Sequence, residues 1–162
     1  MVKPLVYLDT SVINFIFADD APEKQEITLD FFDHFVRLDK YRTVISVYVL
    51  DEIQQTPDPA ERARLEEIIM QYRIPVLPAE PEAEIGRLAG LYLEQGVLPP
   101  KKLYDALHVA FCTVSHIDYL VSWNFKHLAN ISRERRILTL NLTQGYTHPL
   151  RILTPSELTG DA

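Results

Sequence analysis

Near its start the chain reads Leu5-Val6-Tyr7-Leu8-Asp9-Thr10-Ser11-Val12-Ile13. The first four of these residues are an apolar run, which is typical of a buried strand. Asp9, Thr10 and Ser11 are suited to cap a helix that continues through Val12 and Ile13. A buried strand followed at once by a helix is the repeating unit of α/β proteins, so this stretch predicts that class.

The same alternation of extended and helical patterns continues along the chain. Apolar extended segments occur at 43–47, 75–78, 118–122 and 150–153. Helical spacing covers 23–38, 82–94, 101–115 and 132–143, with further helices after residues 47 and 58. Gly96 is placed to end one helix, and residues 154–157 form a capping box for the last. We therefore expect an α/β three-layer sandwich with a central, mostly parallel sheet.

The length of the chain fits one domain. It has 162 residues, enough to bury a substantial core. No internal repeat or low-complexity tract interrupts it, and the breaker-rich stretch 56–59 is too short for a linker. We expect a single domain over residues 1–162.

Composition limits the location and the kind of partner. No apolar run approaches the roughly 20 residues of a membrane span, and the first residues lack the layout of a signal peptide. We therefore expect a cytoplasmic protein without membrane contact. The one cysteine, Cys112, excludes an internal disulfide framework. The net charge of −7 argues against nucleic-acid binding by overall charge, but not against a nuclease whose metal ion neutralises the substrate locally.

Four polar residues stand at the start or end of separate apolar runs: Asp9, Glu52, Asp105 and Asn124. Carboxylates avoid such positions unless they are paired or bound to a metal. Sites of parallel sheets form beyond the carboxyl ends of the strands, where these residues would converge. Asp118 precedes its strand, lies at the opposite edge and is excluded. The set predicts one site for a hard divalent cation.

Two of these acids are also suited to purely structural roles. Asp9 is as well suited to be a helix N-cap as a site residue, and it could also be the partner of a nearby cation. Asp105 lies in the first turns of a largely apolar helix and gains from the helix dipole. Its alternative role is an ion pair with Lys101 or Lys102, four and three residues earlier.

The remaining candidates are weaker individually. Glu52 is preferred to its neighbour Asp51 because the two point about 100° apart on a helix, although a lone glutamate is usually solvent-facing. Asn124 is also suited to cap a short helix over 124–128. His108 and His127 are possible ligands, but a carboxylate site does not require them, and His108 is expected to be a packed histidine.

At these positions the chain resembles the PIN-domain nucleases. The segment Tyr7-Leu8-Asp9-Thr10-Ser11-Val12-Ile13 is similar to the family's opening strand and first aspartate. Ser46, followed six residues later by Glu52-Ile53, resembles the second motif. Tyr104-Asp105-Ala106-Leu107-His108-Val109-Ala110 resembles the third, and Leu120-Val121-Ser122-Trp123-Asn124-Phe125 the fourth. The resemblance spans about residues 5–155.

This resemblance implies a function. It implies a hydrolase, an endoribonuclease that cleaves RNA phosphodiester bonds with a divalent metal. The VapC-type toxins of type II toxin–antitoxin systems are the group nearest in size. Their likeness implies an RNA substrate, a small antitoxin protein as partner and a homodimer.

The implied site has three acidic ligands and one amide. Asp9, Glu52 and Asp105 would hold Mg²⁺ or Mn²⁺, and Asn124 would complete the catalytic set. Many relatives have an aspartate where this chain has Asn124, which can ligate through its carbonyl oxygen but brings no charge. The set therefore fits one firmly bound metal better than two.

Basic residues near these motifs are candidates for substrate contact. Contact with the phosphates that flank the scissile bond is expected from Lys102, Lys126 or Arg133. The metal would orient and acidify the attacking water, so no residue need be a covalent nucleophile.

Two other classes remain open. A non-catalytic PIN-like module for RNA binding or assembly is supported by Asn124 and the acidic net charge. A phosphotransferase of the haloacid dehalogenase kind is suggested by the strand followed by Asp9, but that family needs an aspartate where this chain has Ser11.

Overall fold

A computed structural model describes residues 2–124 and 130–159 of the chain. The strands of this part are β1 (Leu5–Leu8), β2 (Arg42–Ser46), β3 (Val76–Leu77), β4 (Tyr119–Val121) and β5 (Arg151–Leu153). They form one sheet in the order β3-β2-β1-β4-β5, and every neighbouring pair is parallel. The predicted α/β sandwich with a parallel sheet is confirmed.

Helices follow each strand of the described chain. They are α1 (Thr10–Asn14), α2 (Pro22–Phe31), α3 (Val47–Gln54), α4 (Pro59–Gln71), α5 (Glu82–Glu94), α6 (Leu103–Val114), α7 (Ile131–Thr143) and α8 (Pro155–Thr159). Gly96 has a φ of 69° just after α5, the left-handed conformation that ends helices. The predicted capping box precedes α8, where the backbone N–H of Thr154 donates to Glu157 and that of Glu157 to Thr154.

One predicted helix is not regular throughout. The helix predicted over 23–38 is α-helical only as far as Phe31 and continues as a π-helical turn, Phe32–Val36. The backbone N–H of Arg37 donates to the carbonyl of Phe32, five residues back. Phe31, Phe32 and Val36 are all buried, so the wider turn directs two consecutive aromatic residues toward the core. Hydrophobic spacing alone does not reveal such a change.

The sheet is covered on both of its faces. Val6, Tyr7 and Leu8 of the central strand point alternately to the two sides, and none of them is exposed to solvent. A parallel strand with this burial needs helices on each face. Among the described helices, none is long and apolar enough to cross a membrane.

Strand order determines where a site can form. From β1 the chain connects to β2 on one side, whereas β4 and β5 lie on the other. The order therefore reverses at β1, and a crevice opens at the carboxyl ends of β1 and β4. Asp9 and Asn124 lie directly beyond these two strand ends.

Candidate functional site

The four candidate residues line one cavity at the carboxyl edge of the sheet. The cavity has a volume of about 340 Å³. Asp9 enters it from the end of β1, Glu52 from α3, Asp105 from the first turn of α6 and Asn124 from the segment after β4. Its other lining residues are Thr10, Ser11, Asn14, Lys101, Lys102, Leu103 and Tyr104. The fold thus brings together the four residues that sequence placed at separate core edges.

Asp9 is the most deeply buried of the four. Only 3% of it is exposed, and its Oδ1 accepts hydrogen bonds from the backbone N–H of Ser11 at 3.0 Å and the Ser11 hydroxyl at 2.5 Å. It is therefore also the N-cap of α1, the alternative role considered from sequence. Burial raises the pKa of Asp9, although the charge of His108 and the hydroxyls of Ser11 and Ser122 oppose this rise.

Ser11 joins the two strand ends. Its hydroxyl donates to Asp9 and accepts the backbone N–H of Trp123 at 3.0 Å. The residue therefore fixes Asp9 relative to the segment that carries Asn124. Sequence reasoning treated Ser11 only as a helix cap, because a contact across 112 residues leaves no local signal.

Glu52 is held by two donors from other elements. Its Oε1 accepts the hydroxyl of Thr10 at 2.5 Å and contacts Nε2 of His108 at 3.0 Å. Burial would raise the pKa of Glu52, but the hydrogen bond and charge of His108, with help from Thr10 and Lys102, outweigh it and lower the pKa. Glu52 lies half-buried at the cavity, whereas Asp51 is exposed.

His108, named from sequence as a possible ligand but expected to be a packed histidine, contacts an acid of the site. It is buried, as expected of a packed histidine, yet it joins Glu52 to the hydroxyl of Tyr7, which lies 2.6 Å from its Nδ1. Tyr7 in turn contacts the hydroxyl of Ser46 at 2.8 Å. The spacing from Asp105 to His108, three residues on one helix, places both on one side and was the available signal.

Asp105 is paired with Asn124 rather than with lysine. Its Oδ2 accepts the side-chain amide of Asn124 at 2.9 Å. In the described part of the chain no ion pair joins it to Lys101 or Lys102. Burial, and next the charge of Asp9, raise the pKa of Asp105 to about 6, and Lys102 opposes this rise.

Comparison of the sequence with known families identifies its relatives. Residues 6–133 match the PIN domain, most of the chain. The chain belongs to the PIN-domain family. Members of this family are generally nucleases that use divalent metals. A comparison with curated proteins finds no match.

Solved structures share the fold of this PIN domain. One is VapBC2 from Rickettsia felis bound to a DNA fragment from its promoter, with a TM-score of 0.59 and 15% identity over 92% of this chain and 97% of that chain. Another is FitAcB from Neisseria gonorrhoeae, with a TM-score of 0.56 and 14% identity over 94% and 99%. A third, FitAB bound to an IR36 DNA fragment, has a TM-score of 0.54 and 14% identity over 93% and 95%. At this identity the likeness shows the fold alone.

Several other polar residues lie away from the cavity of the PIN domain. Asp118 is at the opposite edge of the sheet, where it accepts the backbone N–H of Leu5 at 2.8 Å and pairs with His148 at 2.9 Å. The guanidinium of Arg133 donates to the carbonyl of Val97 and does not line the cavity. Lys126, His127 and the short helix predicted over 124–128 lie, apart from Asn124 itself, outside the described residues.

The donor set of the cavity suits a hard cation. Asp9, Glu52 and Asp105 supply carboxylate oxygens, the ligands that Mg²⁺ and Mn²⁺ prefer. Each carboxylate is held by a donor of its own, and within the described ranges no three acidic, histidine or cysteine side chains already form a coordination sphere. Binding an ion would therefore require the side chains to turn toward the shared space or waters to bridge the ion to the acids. Bridging waters suit Mg²⁺, which keeps several of its waters.

Proposed function

We propose that this PIN domain is a divalent-metal-dependent endoribonuclease and the toxin of a toxin–antitoxin pair. The observation that carries the proposal is the meeting of Asp9, Glu52 and Asp105 in one cavity, each from a different element. Burial raises the pKa values of Asp9 and Asp105, and repulsion by a neighbouring acid adds to the rise, from Glu52 for Asp9 and chiefly from Asp9 for Asp105. A divalent cation would relieve both effects, because it supplies the missing positive charge.

The three acids are the proposed ligands of Mg²⁺ or Mn²⁺. When bound, the ion would polarise the scissile phosphate and lower the pKa of the attacking water. Asn124 orients Asp105 through its amide, and Ser11 orients Asp9. In-line attack then displaces an alcohol oxygen without a covalent enzyme intermediate.

Two lysines at the cavity are placed to contact the phosphates of an RNA chain. Lys101 and Lys102 are exposed and line the cavity beside the acids. On a chain of net charge −7 they supply local positive charge where a phosphate would approach. Lys102 is therefore the basic residue that we propose to contact substrate. Arg133 instead donates to the carbonyl of Val97, just beyond the end of α5.

The proposed partner is a small antitoxin protein. The structural neighbours named VapBC2 and FitAB support this proposal through their shared fold over more than nine-tenths of this chain. We also propose that the protein is a homodimer acting in the cytoplasm, where RNA is the substrate. A short reading frame that abuts or overlaps this gene would support an antitoxin, and its absence would favour a solitary nuclease.

RNA cleavage with added Mn²⁺ or Mg²⁺ tests the nuclease. The wild type is expected to cleave RNA only with metal, and Asp9→Asn and Asp105→Asn are each expected to lose at least about 100-fold in rate, about 2.7 kcal/mol of barrier. Asp51→Asn is the matched control, since Asp51 is exposed beside Glu52 and does not line the cavity. Equal activity in all four proteins would overturn the assignment.

The test also separates the nuclease from the non-catalytic module. Asn124, in place of the aspartate of many relatives, and the acidic net charge favour that alternative. A protein that binds RNA but neither binds Mn²⁺ at millimolar concentration nor cleaves with it would be such a module.

A further inference from the structure

A chain of hydrogen bonds runs from the core to the cavity. The hydroxyls of Ser46 and Tyr7 are 2.8 Å apart, Tyr7 is 2.6 Å from Nδ1 of His108, and Nε2 of His108 is 3.0 Å from Oε1 of Glu52. Ser46 and Tyr7 are fully buried, and His108 is 1% exposed. The chain therefore links three buried polar groups from β2, β1 and α6 to one acid of the proposed site.

The chemistry of each group fixes the order of donors. The carboxylate of Glu52 only accepts, so Nε2 of His108 donates to it. The hydroxyl of Tyr7 can donate to Nδ1 of a neutral ring or accept from Nδ1 of a charged one, so it is bonded to His108 in either state. Ser46 already accepts the backbone N–H of Tyr48 at 3.1 Å, which leaves its own hydrogen for Tyr7. Every member of the chain is thus hydrogen-bonded, and the last bond is donated to Glu52.

The donors of Glu52 converge on one of its two oxygens. Thr10 and His108 both contact Oε1. No donor among residues 2–124 and 130–159 contacts Oε2. A carboxylate held by one oxygen keeps its orientation and has the other oxygen available for a cation.

We propose that Tyr7 and His108 are positioning residues that hold Glu52 by Oε1 so that Oε2 can bind the divalent cation. The proposal rests on the proposed function, because it concerns the same metal site. Hydrogen-bond partners that orient metal ligands typically change metal affinity or activity by about 10–100-fold when they are removed.

A second buried network in the protein shows what a purely structural role looks like. Tyr92 is fully buried, and its hydroxyl bonds to Asn141 at 2.5 Å and Thr113 at 3.2 Å. The side-chain amide of Asn141 donates to the hydroxyl of Thr113 at 3.0 Å. The three side chains therefore bond only to one another, within α5, α6 and α7 of the described chain. The network of Tyr7 instead ends on an acid that lines the cavity, which is the difference on which the proposal depends.

The two tyrosines offer a matched pair of variants. Tyr7→Phe and Tyr92→Phe each remove one buried hydroxyl with two partners. Titration with Mn²⁺ alone, followed by water proton relaxation, measures affinity without any need for activity. We expect affinity for Mn²⁺ to fall on the order of 10-fold in Tyr7→Phe and to be unchanged in Tyr92→Phe, although both variants melt at lower temperature.

Two variants of His108 add a rescue. His108→Leu removes the donor to Glu52, and affinity should fall on the order of 10-fold or more. His108→Gln places an amide N–H near the position of Nε2 and should recover most of that loss. If His108→Leu does not fold, Tyr7→Phe still decides the question, since it changes a single hydroxyl.

Combination with Glu52→Gln separates positioning from other effects. If Tyr7 and His108 act through Glu52, then Tyr7→Phe should not weaken Mn²⁺ binding further in the Glu52→Gln background. The positioning role alone would be overturned if Glu52→Gln binds Mn²⁺ weakly but Tyr7→Phe and His108→Leu bind it like the wild type. A wild type without Mn²⁺ binding, or Glu52→Gln with unchanged binding, would instead overturn the proposed metal site.

Discussion

The side-chain amide of Asn124 donates a hydrogen bond to Oδ2 of Asp105, with 2.9 Å between the two atoms. The residues lie 19 positions apart in sequence, one beyond β4 and one in the first turn of α6. The uncharged amide of Asn124 thus occupies the position at which a fourth acid would face Asp105. The residue at position 124 therefore determines whether the cavity contains three or four acidic side chains.

Asn124→Asp should make the metal-free protein less stable. The same substitution should increase the stabilisation that a bound metal gives. A second carboxylate at this distance would repel Asp105, since like charges in one site cannot both ionise without cost. We expect the melting temperature to fall by a few degrees without metal, and Mn²⁺ to raise it more than in the wild type. Differential scanning calorimetry with and without Mn²⁺ measures both. Ser156→Asp, which adds the same charge on α8, is the control, and an equal response of the two variants would contradict the prediction.

Asp105→Asn should stabilise the metal-free protein near neutral pH. The folded pKa of Asp105 is about 6, above the value of roughly 4 in an unfolded chain. Such a group stabilises the fold below about pH 4, and this contribution is lost as the pH rises through about 6. The difference corresponds to at most about 3 kcal/mol of unfolding free energy, because Asp105 keeps some contact with solvent.

Thermal unfolding from about pH 4 to about pH 7.5 tests this pH dependence. The gain in melting temperature of Asp105→Asn over the wild type should be near zero at about pH 4 and grow to several degrees above about pH 6. Asp51→Asn should show no such growth. A gain that is the same at every pH would mean that the ionisation of the buried Asp105 is not the cause.

Asp118→Asn should leave metal binding and RNA cleavage unchanged. Asp118 is an acid near an apolar strand, as the candidate residues are, but it lies at the amino edge of β4 and binds the backbone of Leu5 and the ring of His148. The variant removes a negative charge without touching the cavity. Mn²⁺ titration and the cleavage assay, run beside Asp9→Asn, are the measurement. A loss comparable to that of Asp9→Asn would contradict the placement of the site.

Lys102→Ala should weaken RNA binding and make the binding less dependent on salt concentration. Each phosphate contact by a lysine contributes about 0.7 to the slope of log affinity against log salt for single strands. We expect the slope to fall by roughly that amount, with a uniform loss of affinity across sequences. Fluorescence anisotropy with Asp105→Asn as the background avoids cleavage during the measurement. Lys3→Ala is the control, since Lys3 pairs with Asp39 away from the cavity, and an equal change in slope for both would overturn the assignment.

Much of the fold followed from local patterns. Buried strands and amphipathic helices were predicted close to their observed positions because burial imposes a period on the sequence, and Gly96 and the capping box before α8 mark helix ends chemically. The π-helical turn Phe32–Val36 was not predicted, since it satisfies the same apolar spacing with one more residue per hydrogen-bonded turn.

The candidate site was predictable only in part. Asp9, Glu52, Asp105 and Asn124 stood out because charged or amide groups at the ends of apolar runs are costly unless they share a partner. His108 was named only as a possible ligand, because its position on an apolar helix did not tell whether it packs or also bonds to Glu52. Ser11 and Tyr7 were hidden for the same reason, since their partners lie 112 and 101 residues away.

The sequence by itself determined which residues are buried, where strands and helices form and which acids are out of place. These are local properties, set by hydrophobic period and helix-end chemistry. Only the tertiary structure decided that β1 lies at the centre of the sheet, that Asn124 faces Asp105, and that Tyr7 and His108 reach Glu52. Hydrogen bonds between distant residues depend on the order of strands, which no local pattern encodes.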